Sequence, residues 1–256
     1  MSQPDQTSPI APLPAVASRR TCDLTTRGTV VSESLQALLL ALAAYLVGAV
    51  PFGLLIGFAF GVDVRALGSR NIGATNVGRV LGGKWGKLCL VLDILKGLLP
   101  TVAARFILFR DEPDAAALGR WLLVGVASVI GHVFPVYLRF RGGKGVATTI
   151  GVALGIYPFY TVAMAVALLG YVLIRFATGL VSLGSLTIAI VFPVSLYAYL
   201  RLTHRGLAEF WPLLVVAVLL GLLIAIRHAG NIRRLLQGEE MRPARSLSEQ
   251  GPRTER

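Results

Sequence analysis

Runs of apolar residues, each about as long as a bilayer is thick, occupy most of the chain between residues 35 and 226. Clear windows fall at residues 35–60, 85–109, 118–138, 178–200 and 210–226. With 55% hydrophobic and only 15% charged residues, the composition is that of a polytopic membrane protein. The expected fold is therefore all-α, a bundle of membrane helices.

The stretch 146–174 is harder to read, being long for one crossing and short for two. Tyr157-Pro158 near its middle supplies a break, and charge parity favours using it. With the break there are seven crossings, and every strongly basic loop shares one face: Arg65, Arg70, Arg79, Lys84 and Lys87, then Arg139, Arg141 and Lys144, then Arg175, then Arg227, Arg233 and Arg234. Asp111, Glu112, Asp114, Arg201, Arg205 and Glu209 fall on the other. By the positive-inside rule the amino terminus is then outside and the carboxyl terminus cytoplasmic. Residues 1–33 and 239–256 read as disordered tails flanking a membrane domain at 34–238. Ser18-Arg19-Arg20 resembles a twin-arginine export signal, but the apolar run begins only at Leu35 and is too long, so an anchor is the better reading. The formal net charge of +12 is assigned to topology and phosphate binding, since the hydropathy argues against nucleic acid.

Polar, glycine-rich sequence interrupts the apolar runs in two places. Segment 67–79 reads L-G-S-R-N-I-G-A-T-N-V-G-R and brings together Ser69, Asn71, Thr75, Asn76 and Arg79. Its glycines permit close backbone approach, and the arginine suits bidentate phosphate contact. A loop that merely solvates a membrane surface would share this composition. Segment 131–147 sets Arg139, Arg141 and Lys144 around Gly142-Gly143, with Gly145 opening the next helix. Amides of a glycine turn at a helix amino terminus form an anion site that a lysine would reinforce; a positive-inside anchor is the bland alternative. A third segment, H-A-G-N-I-R-R-L at 228–235, places His228 and Asn231 three apart, on one face if the helix continues. Asp93 and Lys96 share that spacing inside an apolar run and read as a structural ion pair or as contacts to a neighbouring helix. His132 reads as packing near a helix end. No His-x-x-x-x-Asp pair, G-x-S-x-G elbow, cysteine beside a base or metal-ligand spacing is present.

These segments resemble the bacterial acyl-phosphate:glycerol-3-phosphate acyltransferase family (PlsY), whose motifs run approximately G-S-G-N-x-G-A-T-N, G-G-K-G-V-A-T and H-x-x-N-I-x-R-L. They correspond here to residues 68–76, 142–148 and 228–235, and V-P-F-G, V-L-D-I-L-K-G and G-H-V-F-P are similar as well. The resemblance implies acyl transfer from an acyl phosphate to the 1-hydroxyl of glycerol 3-phosphate, giving lysophosphatidic acid and phosphate, the first acylation of phospholipid synthesis. It implies catalytic roles for Ser69, Arg79, His228 and Asn231, and substrate binding by Asn71, Asn76, Gly142, Gly143, Lys144 and Gly145. No cofactor or metal is expected. Partners are the two substrates, membrane lipid and the soluble enzyme that makes the acyl phosphate, and the setting is the bacterial inner membrane with the site facing the cytoplasm. Arg70 departs from the family's usual glycine. An anion transporter or a lipid-binding scaffold would also suit basic loops, but the polar groups gather at one membrane face and the helices do not match in two halves.

Overall fold

The computed structural model describes residues 19–109 and 113–240, with side chains from residue 32 onward. Residues 1–18 and 241–256, most of the two expected tails, lie outside the described residues. Every regular element among the described residues is helical: α1 (Arg19–Gly48), α2 (Phe52–Ala59), α3 (Ala74–Leu81), α4 (Gly83–Leu108), α5 (Ala115–Val133), α6 (Val146–Gly155), α7 (Phe159–Thr178), α8 (Val181–Leu202), α9 (Leu207–Arg227) and α10 (Ala229–Leu236), with a single 3-10 turn at Val136–Leu138. α1 thus starts well ahead of Leu35, inside the stretch assigned to the tail.

Among the described residues, five segments are long and apolar enough to cross a bilayer: Ser32–Ala59, Ala115–Leu138, Phe159–Thr178, Val181–Leu202 and Leu207–Arg227. α4 has the length but carries Asp93 and Lys96 in its middle, and α6 has only 10 residues. The chain does break around Pro158, between α6 and α7. It breaks a second time where an uninterrupted span was expected, between α1 and α2. Pro51 lacks the amide that would continue the helical ladder, so α1 stops at Gly48 and α2 restarts at Phe52.

That break has a partner. The carbonyl of Val50 accepts a hydrogen bond from Lys96 Nζ at 3.0 Å, while the same ammonium sits 2.9 Å from Asp93 Oδ1. Both side chains are almost fully buried, at 2% and 4% exposure, and an unpaired charge here would cost several kcal/mol. The expected ion pair is therefore present, and it also pins α4 to the break after α1. His132 at the end of α5 lies against the same carboxylate, with Nδ1 at 3.6 Å from Asp93 Oδ1.

α1 packs on α5 and α4, α4 on α6, α7 on α8, and α9 on both α8 and α5. The α4–α6 contact is the closest kind available to helices: a β-carbon on Gly151 would collide with the carbonyl of Ile94, and one on Gly97 with that of Thr148. Small residues let these backbones touch, which fixes where the amino terminus of α6 can be. Gly151→Ala is expected to destabilise the bundle by about 1–3 kcal/mol through overpacking, read as a lowered unfolding temperature in detergent; an unchanged midpoint would contradict the contact.

Candidate active site

A cavity of 740 Å³ opens at one end of the bundle. The beginnings of α3, α4, α6 and α8 line it, as do residues at the ends of α5, α7 and α9. Helix amino termini carry unsatisfied N–H groups and a partial positive charge, which the carboxyl ends oppose, so the preference for anions comes from these amino termini together with Arg79 and Lys144. Its polar wall holds Ser69, Asn71, Arg79, Lys144, His228 and Asn231. Leu90, Ile94, Ile150, Leu168 and Ile188 make up much of the remainder.

The second and third segments meet directly. Lys144 Nζ donates to Asn231 Oδ1, and Asn231 Nδ2 donates in turn to Glu240 Oε1. Arg234 Nε donates to the other carboxylate oxygen of Glu240 at 3.0 Å. Desolvation, with the neighbouring Arg234, Arg79 and Arg227 adding to it, pushes the Lys144 ammonium down to a pKa of about 8. Burial opposes ionisation of Glu240, but the hydrogen bonds from Asn231 and Arg234 outweigh it and hold its carboxyl below the usual range.

His228 sits at the junction of α9 and α10, 2% exposed. Its Nδ1 lies 2.8 Å from the carbonyl oxygen of Ile224. A carbonyl can only accept, so the proton is on Nδ1 and Nε2 carries the lone pair. Burial, reinforced by the charge of Lys144, lowers the imidazole to a pKa of about 4, so it is neutral at ordinary pH.

In the first segment Asn71 Oδ1 accepts the Gly73 N–H, closing a turn at the start of α3. The Ser69 N–H donates to Asn76 Oδ1 at 2.8 Å, and Arg79 Nη1 reaches the same oxygen at 3.4 Å. Arg79 is half-buried and its Nε finds no protein partner.

Two expectations need correction. Asn76 lines the cavity, but its amide is already engaged: Nδ2 donates to the carbonyls of Val64 and Leu67, and Oδ1 accepts from Ser69. It shapes the loop that presents Ser69 and is not free to bind a substrate. The N–H groups of Gly142 and Gly143 donate to the carbonyls of Val133 and His132, and neither residue lines the cavity. The turn folds back on the end of α5, so only from Lys144 and Gly145 onward does the segment face the site. Arg70 is exposed and outside the lining, with φ at +58°, the left-handed region that favours glycine.

Asp93 and His132, which the sequence reads as structural, also line the cavity, and so does Glu240, which the sequence places in the tail. No local signal distinguished it from the neighbouring Glu239.

The sequence pattern described as glycerol-3-phosphate acyltransferase matches residues 38–238. The chain belongs to that family. It is 45% identical over 199 residues to the glycerol-3-phosphate acyltransferase of Desulfotalea psychrophila, covering 78% of this chain and 94% of the relative. With that of Geobacter sulfurreducens it shares 42% over 209 residues, or 81% and 98%. The fold is similar to crystal structures of PlsY, an integral membrane glycerol 3-phosphate acyltransferase. Its glycerol 3-phosphate form has a TM-score of 0.68 at 38% identity and its lysophosphatidic acid form 0.66 at 37%, each covering 81% of this chain and 95% of the other. The chain is thus a multi-pass membrane acyltransferase of the PlsY type.

Asn76→Asp keeps the side chain's shape but turns a donor facing two carbonyls into an acceptor. About 2–4 kcal/mol of stability should be lost, together with activity, and a variant as heat-resistant as the parent would show that the amide is not a brace.

Proposed function

We propose that this acyltransferase moves a fatty acyl group from an acyl phosphate to the 1-hydroxyl of glycerol 3-phosphate, at the cytoplasmic face of the bacterial inner membrane. The observation that carries the reading is the double character of one cavity: cations and helix amino termini on one wall, aliphatic side chains on another. Two phosphorylated substrates, one with an oily tail, match that combination. Glycerol 3-phosphate and lysophosphatidic acid, named for the two PlsY crystal forms, are the corresponding substrate and product.

The order of helix ends around the cavity supports seven crossings. Starts of α4, α6 and α8 alternate there with ends of α5, α7 and α9, as parity requires if α4 and α6 also cross. α6 is about 15 Å long and depends on its neighbours for the remainder of the bilayer. Arg65, Lys84, Lys87, Arg139, Arg141 and Arg175 lie on loops or helix turns at the cavity end, which favours a cytoplasmic location.

In this reading Arg79 and Lys144 hold phosphate oxygens, and the amino terminus of α6 at Gly145 supports them. Ser69 and Asn71 orient the donor carbonyl. His228 and Asn231 position the glycerol hydroxyls, with Nε2 accepting from the attacking hydroxyl. The hydroxyl oxygen bonds to the acyl carbon as the bond from that carbon to the phosphate oxygen breaks, and inorganic phosphate departs. The donor is already a mixed anhydride, so proximity and charge stabilisation supply most of the acceleration. An imidazole at about 4 is a weaker base than a phosphate, whose second pKa is about 6. The hydroxyl proton therefore ends on phosphate, with His228 orienting it.

Purified protein given both substrates should release phosphate only when both are present; transport without chemistry in sealed vesicles would overturn the assignment. Lys144→Ala should raise KM for glycerol 3-phosphate by about tenfold or more while kcat changes less. The pH dependence has a definite sign. The Lys144 ammonium, lowered to about 8, holds its charge below that pH and loses it above. KM for glycerol 3-phosphate should therefore be flat at neutral pH and climb toward about tenfold per unit in alkali. The climb should be absent in Lys144→Ala, and a profile shared by both proteins would count against it.

A further inference from the structure

We infer that Arg227, the last residue of α9, is a positioning residue that sets the spacing between Lys144 on one motif and His228 and Asn231 on the other. Its guanidinium donates twice to the glycine turn, from Nη2 to the Gly142 carbonyl at 3.2 Å and from Nε to the Gly143 carbonyl at 3.3 Å. Arg227 is not among the residues lining the cavity, so it acts on the site through the backbone it grips.

Its place in the chain gives those two bonds their consequence. Arg227 immediately precedes His228, and Gly143 immediately precedes Lys144. One planar fork therefore ties the residue before Lys144 to the residue before His228, at the base of the short helix whose Asn231 accepts from Lys144. The turn is held from its other side by α5: the Gly142 and Gly143 amides donate to Val133 and His132 carbonyls, and a β-carbon on Gly143 would strike the His132 ring. Amides facing α5 and carbonyls facing α9 leave the turn no rotation that keeps both sets of bonds. The Arg227 guanidinium also lies over the Phe134 ring, 5.7 Å from its centroid, which fixes the plane of the fork. A lysine would keep the positive charge, but its point-like ammonium lacks the flat fork that matches two carbonyls.

The proposal rests on the function argued above, and the test separates the two. Wild-type protein that releases no phosphate from the substrate pair sinks that function. With active wild type, Arg227→Lys and Arg227→Gln are compared by steady-state kinetics and thermal unfolding. Expected is a rise of about tenfold or more in KM for glycerol 3-phosphate in both variants, with KM for acyl phosphate within about threefold and the unfolding midpoint near that of wild type. In a Lys144→Ala background, Arg227→Lys should add less than about threefold, because it acts through Lys144. Rescue of wild-type KM by lysine would show that charge alone matters and overturn the proposal. Penalties that multiply in the double variant would do the same, as would an Arg227→Lys protein that no longer folds, which would make Arg227 a brace for the whole bundle.

Discussion

Helix ends and interruptions leave carbonyl oxygens without a helical partner, and this protein uses buried and half-buried donors to capture them. Lys96 takes the Val50 carbonyl at the α1–α2 break. Asn76 takes those of Val64 and Leu67 in the loop before α3, and Arg227 takes those of Gly142 and Gly143. His228 meets the Ile224 carbonyl where α9 ends. The same cations and amides that would be costly in hydrocarbon are thereby satisfied.

That exchange explains why the site is built from several separate segments. A helix interior offers no free carbonyls and no free amides, whereas its ends offer both. Gathering the starts of α3, α4, α6 and α8 beside the ends of α5, α7 and α9 produces anion-attracting dipoles without placing an unpaired charge at mid-depth. The apolar wall of the cavity comes from the next turns of those same helices, such as Leu90 and Ile94 of α4 and Ile150 of α6. The glycine contact between α4 and α6, with that of Gly86 on Gly78 between α4 and α3, brings the first two motifs together through close-packed backbone.

Much of this was legible in the sequence. Apolar windows located the bundle, Pro158 marked the α6–α7 break, and three polar segments named residues that share a cavity. What escaped was the direction in which polar groups point. Gly142-Gly143 has the composition of an anion nest, but its amides turn to α5, a choice made by tertiary contact with His132 and Val133. Asn76 looked like a binding group because composition cannot distinguish an amide facing a ligand from one facing its own loop. Pro51 was visible, yet a hydropathy window counts side chains and not missing N–H groups. Arg227 read as a membrane-face anchor, and Glu240 as tail, because both take their meaning from residues far away in the chain.

The Asn231 side chain, with Lys144 at its oxygen and Glu240 at its nitrogen, has one further consequence. Like charges on Arg79, Lys144 and Arg234 would push each other apart if nothing stood between them, and the protein supplies its own amide and acid as spacers. On the proposed function, an arriving anion trades places with internal contacts that already hold these cations apart. Little ordering cost is left for the moment of capture.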